Sequence, residues 1–312
     1  MNEFLRIIDR LLKKYGYAIK KHPQYNLLPL EDFKGFEDLK TVYSLADNIK
    51  EKKDKIDNLE ICLRTCINDA RTKNRVNELT KTNLDEHLLK CVNSLLVSIN
   101  YAVEKGIEIK LTIFDDRSSK TAIDVIRSSC NNLNCEWRII TTEKTGQGES
   151  LYQHFDYARR VEALTYFCED DYLHIQSAIY EMYQFYKQIY DQTGSHLLIH
   201  PQEHELIYSQ FNYPSYILEG EKRWWRTMSH ATHTFLTHSA VVKKYWQYFE
   251  NTKYVGIKEK RHLGSEKRTT DQLFNHIPGF SPLPAIAAHM QTEQCLPPFF
   301  NWKEVWDSVP SM

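Results

Sequence analysis

The sequence predicts an α/β fold in which helices cover a mostly parallel sheet. Three observations carry this reading. From Leu59 to Tyr190, short apolar runs alternate with longer amphipathic stretches in the order βαβαβαβα. The 312 residues are 42% hydrophobic and 26% charged, an ordinary globular balance. Acidic residues close two of the apolar runs: Asp115-Asp116 after Ile107–Phe114, and Glu169-Asp170-Asp171 after Ala163–Cys168. In sheets of this kind, ligands bind outside the carboxyl ends of the strands.

The elements follow in order. Residues 1–58 read as a helical extension, because Phe4, Ile7, Ile8, Leu11 and Leu12 recur at helical spacing with basic residues between them. Thr41–Lys55 is a second helical candidate. The extension suits a helix packed on the main domain, a membrane-surface anchor or an oligomerisation element. Leu59–Ile67 reads as the first strand, followed by a polar connection to about Asn83. Leu84–Lys105 reads as a long helix, with Asn83 and Glu86 placed for a capping arrangement and Gly106 as its stop.

Ile107–Phe114 is the second strand and Lys120–Cys130 a helix. Glu136–Thr142 is the third strand, Leu151–Val161 a helix and Ala163–Cys168 the fourth strand. In the helix Ile175–Tyr190, the stripe of Ile179, Met182, Tyr183, Tyr186 and Ile189 reads as core. Beyond residue 195 the rhythm changes. Short strands are expected at His196–His200 and Thr232–His238, helices at Ala240–Glu250 and Asp271–His276, and a charged loop at Lys253–Arg268. The proline-bearing tail should be largely irregular. Three regions result: residues 1–58, an α/β half over 59–194, and a second half of the same domain over 195–312.

The formal net charge of −1 argues against an electrostatic nucleic-acid binder. Residues 222–268 nevertheless hold eleven Lys/Arg against three acids. Such a stretch suits a diphosphate or an anionic acceptor, or is a solvated surface loop. The seven cysteines include no CxxC pair, and no leader is read, so reduced thiols in a cytoplasmic setting are expected. No apolar stretch approaches the roughly 18 residues that cross a bilayer. Membrane contact, if any, would be peripheral.

Adjacent carboxylates at a strand end are costly unless a cation neutralises them, and hard divalent ions such as Mn²⁺ or Mg²⁺ suit their oxygens; a plain solvated loop is the alternative. Asp115-Asp116-Arg117-Ser118-Ser119 joins a strand to a helix. There a carboxylate can accept hydrogen bonds from a base or ribose, and a serine can cap the helix. In Glu143-Lys144-Thr145-Gly146-Gln147-Gly148-Glu149-Ser150, the two glycines permit close backbone approach to a ligand; an ordinary turn explains them equally well.

Taken in order, these motifs resemble the nucleotide-sugar-dependent glycosyltransferases of the GT-A fold, above all their large inverting, family 2-like group. The resemblance covers about residues 59–190 and extends more loosely to about 303. It implies a metal-dependent transfer of a sugar from a nucleotide-diphosphate donor to an acceptor hydroxyl, in surface glycan or polysaccharide synthesis. On the donor side it implies Arg64 and Thr65 lining the nucleotide pocket, Asp115 or Asp116 on the base or ribose, and Gly146, Gln147 and Gly148 against the nucleoside. It further implies Asp170 on the ribose or sugar and Asp171 on the metal. Glu169 is a second candidate ligand, and His289 matches a late histidine that completes the metal shell in some such enzymes.

An inverting transfer needs one general base. Asp271 is the candidate, though an acid there also caps a helix; Glu219 and Glu221 are the rivals. Trp224 and Trp225 suit stacking on a sugar face or a place in the core. His230 and His233 are candidate contacts for phosphate or acceptor; a zinc site would need further ligands that the spacing does not supply. The chain departs from the family pattern: its acids are not a strict Asp-x-Asp, its first strand ends in Arg64-Thr65, and the connection over 68–83 is long. Two alternatives stand beside the transferase. A sugar nucleotidyltransferase would want a glycine-rich basic loop after the first strand, and Leu59–Asn83 contains no glycine. A non-catalytic glycan- or nucleotide-binding module would not need intact acids at all three strand ends.

Overall fold

A computed structural model describes Ile8, Leu11, Leu12, Leu45 and residues 49–203 and 215–310. Most of the expected helical extension lies outside the described residues. Of the candidate helix Thr41–Lys55, Leu45 is helical and residues 49–55 are not.

Among the described residues eleven strands form: β1 Asn58–Thr65, β2 Glu108–Asp115, β3 Glu136–Thr141, β4 Leu164–Glu169, β5 Tyr172–His174, β6 Leu198–Ile199, β7 Ile217–Glu219, β8 Trp224–Met228, β9 Phe235–His238, β10 Gly279–Leu283 and β11 Ala287–His289. Nine build one sheet in the order β3-β2-β1-β4-β9-β6-β10-β8-β7; β5 and β11 pair separately. β3, β2, β1 and β4 are parallel, as the βα rhythm predicts. β9 runs against both of its neighbours, β4 and β6. The architecture is thus α/β and Rossmann-like, with a mixed extension.

The alternation along β1 explains the layering. Ile61 and Leu63 pack with the helices Leu84–Glu104, Lys120–Cys130 and Ala178–Thr193 on one face. Cys62 points the other way, into a cluster with Leu151 and Phe155 of the helix Gln147–Ala158 and with Phe167, Phe235 and Phe249. Both faces are therefore buried, which is why the strand reads as a nearly continuous apolar run.

Several local readings need correction. Asn83 makes no side-chain cap; instead it pairs with Val76 in an isolated bridge that closes the long connection. The helix expected at Leu151–Val161 begins earlier, at Gln147, behind Gly146 with φ of +108°. The Ala240–Glu250 helix is broken into Ser239–Lys244 and Trp246–Phe249. The tail is not irregular: it supplies β10, β11 and the helix Trp302–Ser308, whose Trp306 packs with Leu173 and Met290. Among the described residues no helix is long and apolar enough to cross a membrane. All seven cysteines are free thiols.

Candidate active site

The parallel register places partners across the strand ends. Thr65 lies beside Asp115 in β2, and Arg64 beside Glu169 in β4. Each pair is bonded. Thr65 Oγ1 donates to Asp115 Oδ1 at 3.0 Å, and the Arg64 guanidinium pairs with Glu169 while its Nη1 donates to Ser150 Oγ at 3.2 Å. The Ser118 amide also donates to both Asp115 oxygens, at 3.3 and 3.1 Å. Asp115 and Thr65 are therefore occupied in shaping the loop, while Asp116 Oδ1 lies 4.0 Å from Arg117 Nη1. Asp116 Oδ2 accepts the Gly146 amide at 2.8 Å, and Oδ1 is buried without a hydrogen bond.

Beyond β4, Asp170 is buried and fully engaged. Its oxygens accept the Cys66 amide at 2.9 Å and Arg71 Nη1 at 2.9 and 2.7 Å. Burial pushes its carboxyl up, against the pull of Arg71. Asp171 differs. Its Oδ2 lies 3.3 Å from His289 Nε2 and 3.8 Å from Arg71 Nη2, while Oδ1 is buried without a partner. Burial alone would raise the Asp171 carboxyl, but the His289 charge and hydrogen bond, with Arg71 and Arg64, hold it below the usual range. Burial would likewise lower His289, and the Asp171 carboxylate overrides it, raising the imidazole well above its ordinary value. His289 is fixed by stacking on Tyr172, 4.9 Å between ring centroids, and by the Gln202 oxygen on its backbone amide. The orphaned Asp171 oxygen fits a divalent cation of the Mn²⁺ kind, with other positions left to ligand oxygens; His289 joins such a shell only by giving up the proton it holds against Asp171. Glu169 pairs with Arg64 rather than with this couple.

His233, just before β9, lies 6.2 Å between ring centroids from Phe155 of the helix Gln147–Ala158. The buried His233 ring sits 3.2 Å from Thr269 Oγ1 and 3.6 Å from Glu266. Burial lowers its basicity, against the pull of Glu266, Glu169 and Asp271 and with the push of Arg64. Asp271 opens a 3₁₀ turn, Thr270–Asn275, and accepts from the Ala231 amide at 3.1 Å; its Oδ2 lies 2.9 Å from His230 Nδ1.

Other candidates stand apart. β7, carrying Glu219, is the sheet's outer strand, with β9, β6, β10 and β8 between it and β4. Glu221 follows it and accepts from the Tyr180 hydroxyl at 3.4 Å. Trp225 is core, stacked on Phe185 at 4.3 Å, and Trp224 is exposed beside the outer strand. Sequence reading missed Arg71, Thr142 and Ser150. Only Arg71 left a signal: Asn68 caps the turn Asp69–Thr72 that aims it, and Asn before a polar turn is a capping cue.

A second polar group, Asp54, His196 and His238, converges within 4.8 Å at the amino edge of the sheet. His238 Nδ1 accepts the Ala240 amide, so its Nε2 carries the proton and donates to the Lys55 carbonyl. With no free lone pair on His238, this group is a hydrogen-bonded strap for residues 50–55 rather than a metal centre.

No known protein-family pattern and no curated protein matches the sequence. Among solved structures, it is similar to TarS (residues 1–349) of S. aureus in complex with UDP. Identity is 14% over 72% of this chain and 60% of that chain, with a TM-score of 0.41. It is similar to UDP-glucose pyrophosphorylase complexed with UDP-glucose (12% identity, 80% and 98% covered, TM-score 0.46) and to an active-site mutant of LgtC (11%, 71% and 71%, 0.40). The chain spans 55%, 36% and 60% of three TarS structures it matches. Likeness this distant decides neither family nor activity.

Proposed function

We propose that this chain is a metal-dependent glycosyltransferase that moves a sugar from a nucleotide-diphosphate donor to an acceptor hydroxyl with inversion. One observation carries the reading. Arg64 Nε, Asp116 Oδ1, Thr142 Oγ1 and Asp171 Oδ1 are buried without hydrogen-bond partners. They come from the carboxyl ends of β1, β2, β3 and β4, four adjacent parallel strands. Buried polar atoms are normally satisfied, so a row of orphans across one sheet edge supports a polar ligand lying there.

In this reading Asp116 and Thr142 take the base or ribose, with the Gly146–Gly148 backbone against the nucleoside. Asp171 and His289 would hold a divalent ion, which as a Lewis acid would neutralise charge developing on a leaving diphosphate. Asp170 positions Arg71, and Arg64 positions Glu169. Asp271 takes the acceptor proton as the hydroxyl attacks, and His230 orients its carboxylate. The acceptor is a glycan or another hydroxyl-bearing molecule.

Calorimetric titration with nucleoside diphosphates and nucleotide sugars, with and without Mn²⁺, tests this. Wild type should bind one nucleotide in a metal-dependent way, and Asp171→Ala should lose it. Absence of binding to every nucleotide would overturn the transferase reading.

A further inference from the structure

The basic stretch at Lys253–Arg268 is anchored to both halves of the candidate site. At one end, its backbone packs on the helix that opens behind Gly146. A Cβ on Gly148 would lie 2.4 Å from the Val255 carbonyl oxygen and 2.7 Å from that of Lys253. Val255 also seats Gly264, where a Cβ would lie 2.7 Å from its amide nitrogen. At the other end Thr269 bonds His233, and Asp271 follows two residues later.

Between these anchors Lys258, Lys260, Arg261, Lys267 and Arg268 are exposed. Among the described residues, none of the five forms an ion pair with a carboxylate, although Lys110, Lys120 and Lys187 do so elsewhere. The nearby acids do not neutralise them: Glu259 is one charge, and Glu266 faces His233. Lys260 sits 5.3 Å from the Tyr254 ring centroid; like charges along one exposed stretch repel one another, and a multivalent anion relieves that repulsion.

We infer that the acceptor is an anionic glycan, and that Lys258, Lys260, Arg261, Lys267 and Arg268 hold its phosphate or carboxylate groups while its hydroxyl reaches Asp271. This rests on the transferase reading. The patch begins against the donor loop and ends at the proposed base, where an incoming acceptor must lie. A membrane surface would need no such placement, even though Ile257 and Leu263 are partly exposed in the same stretch.

The test measures binding of the full chain to fluorescent dextran phosphate, carboxymethyl dextran and neutral dextran of equal length, and to vesicles with and without anionic lipid. The variants are Lys258→Gln/Lys260→Gln/Arg261→Gln/Lys267→Gln and, as a control, Lys50→Gln/Lys53→Gln/Lys244→Gln in the basic cleft at the opposite sheet edge. Wild type and the control should bind one or both charged dextrans over neutral dextran, more weakly at high salt. The quadruple variant should lose at least about tenfold in affinity while nucleotide and Mn²⁺ binding is unchanged. Preference for phosphate or carboxylate identifies the group. Equal binding to neutral dextran, binding to anionic vesicles alone, or equal loss in both variants would overturn the inference. Nucleotide titration of wild type reports separately on the donor site, so the failure of one reading is distinguishable from the failure of the other.

Discussion

Arg71 and Asp170, 99 residues apart in sequence, form a clamp in which a single guanidinium nitrogen reaches both carboxylate oxygens. The Asp170 side chain is only 4% exposed, and among the described residues Arg71 is the side chain bonded to it. The pair explains how three consecutive acids persist at a strand end: Arg64 neutralises Glu169, Arg71 neutralises Asp170, and Asp171 keeps one oxygen open beside His289.

Removing the clamp leaves a buried, uncompensated charge. Arg71→Ala should therefore cost on the order of 2–4 kcal/mol, and Arg71→Lys less, read as a fall in melting temperature. If a cation can enter the acid cluster, added Mn²⁺ should recover more stability in Arg71→Ala than in wild type. Equal melting of Arg71→Ala and wild type would show that Asp170 needs no counter-charge.

Acid should destabilise the fold through buried histidines. Burial pushes His87, His174 and His238 down to about 4 from an ordinary 6.5. Each is neutral when folded and takes up a proton more readily when unfolded. Their contribution is therefore complete above about pH 6.5 and is lost as pH falls toward 4, at up to about 1.4 kcal/mol per group per pH unit. Chemical denaturation across that interval checks this, and a flat profile would contradict it.

His154 is wholly buried among Phe114, Phe155 and Phe167, and neither of its ring nitrogens has a partner. Replacing an unsatisfied buried polar ring with an apolar ring of similar shape should be neutral or stabilising, so His154→Phe should raise the melting temperature by an amount corresponding to roughly 1 kcal/mol. A clear drop would reveal a hydrogen bond made by His154 in solution.

Gly148→Ala should displace the segment at Val255, because the obstructing atoms are backbone carbonyls that cannot rotate away. The expected outcome is a loss of stability on the order of 1–3 kcal/mol together with weaker nucleotide binding. Unchanged nucleotide binding would separate this contact from the donor pocket.

The sequence by itself determined the parallel core and the acids at its carboxyl edge. Short apolar runs, helical stripes and the acids after β2 and β4 are local patterns, and they survive folding because neighbours in sequence set them. Tertiary structure decided which acids remain open. Asp115 is taken up by Thr65 through the β1–β2 register, Asp170 by Arg71 from a connection that looked featureless, and Asp171 is left to His289 from the far end of the chain. It also put Trp225 in the core, left Trp224 exposed, and made strands of the proline-bearing tail. Those outcomes depend on partners 50 to 118 residues away, whose pairing no local pattern encodes.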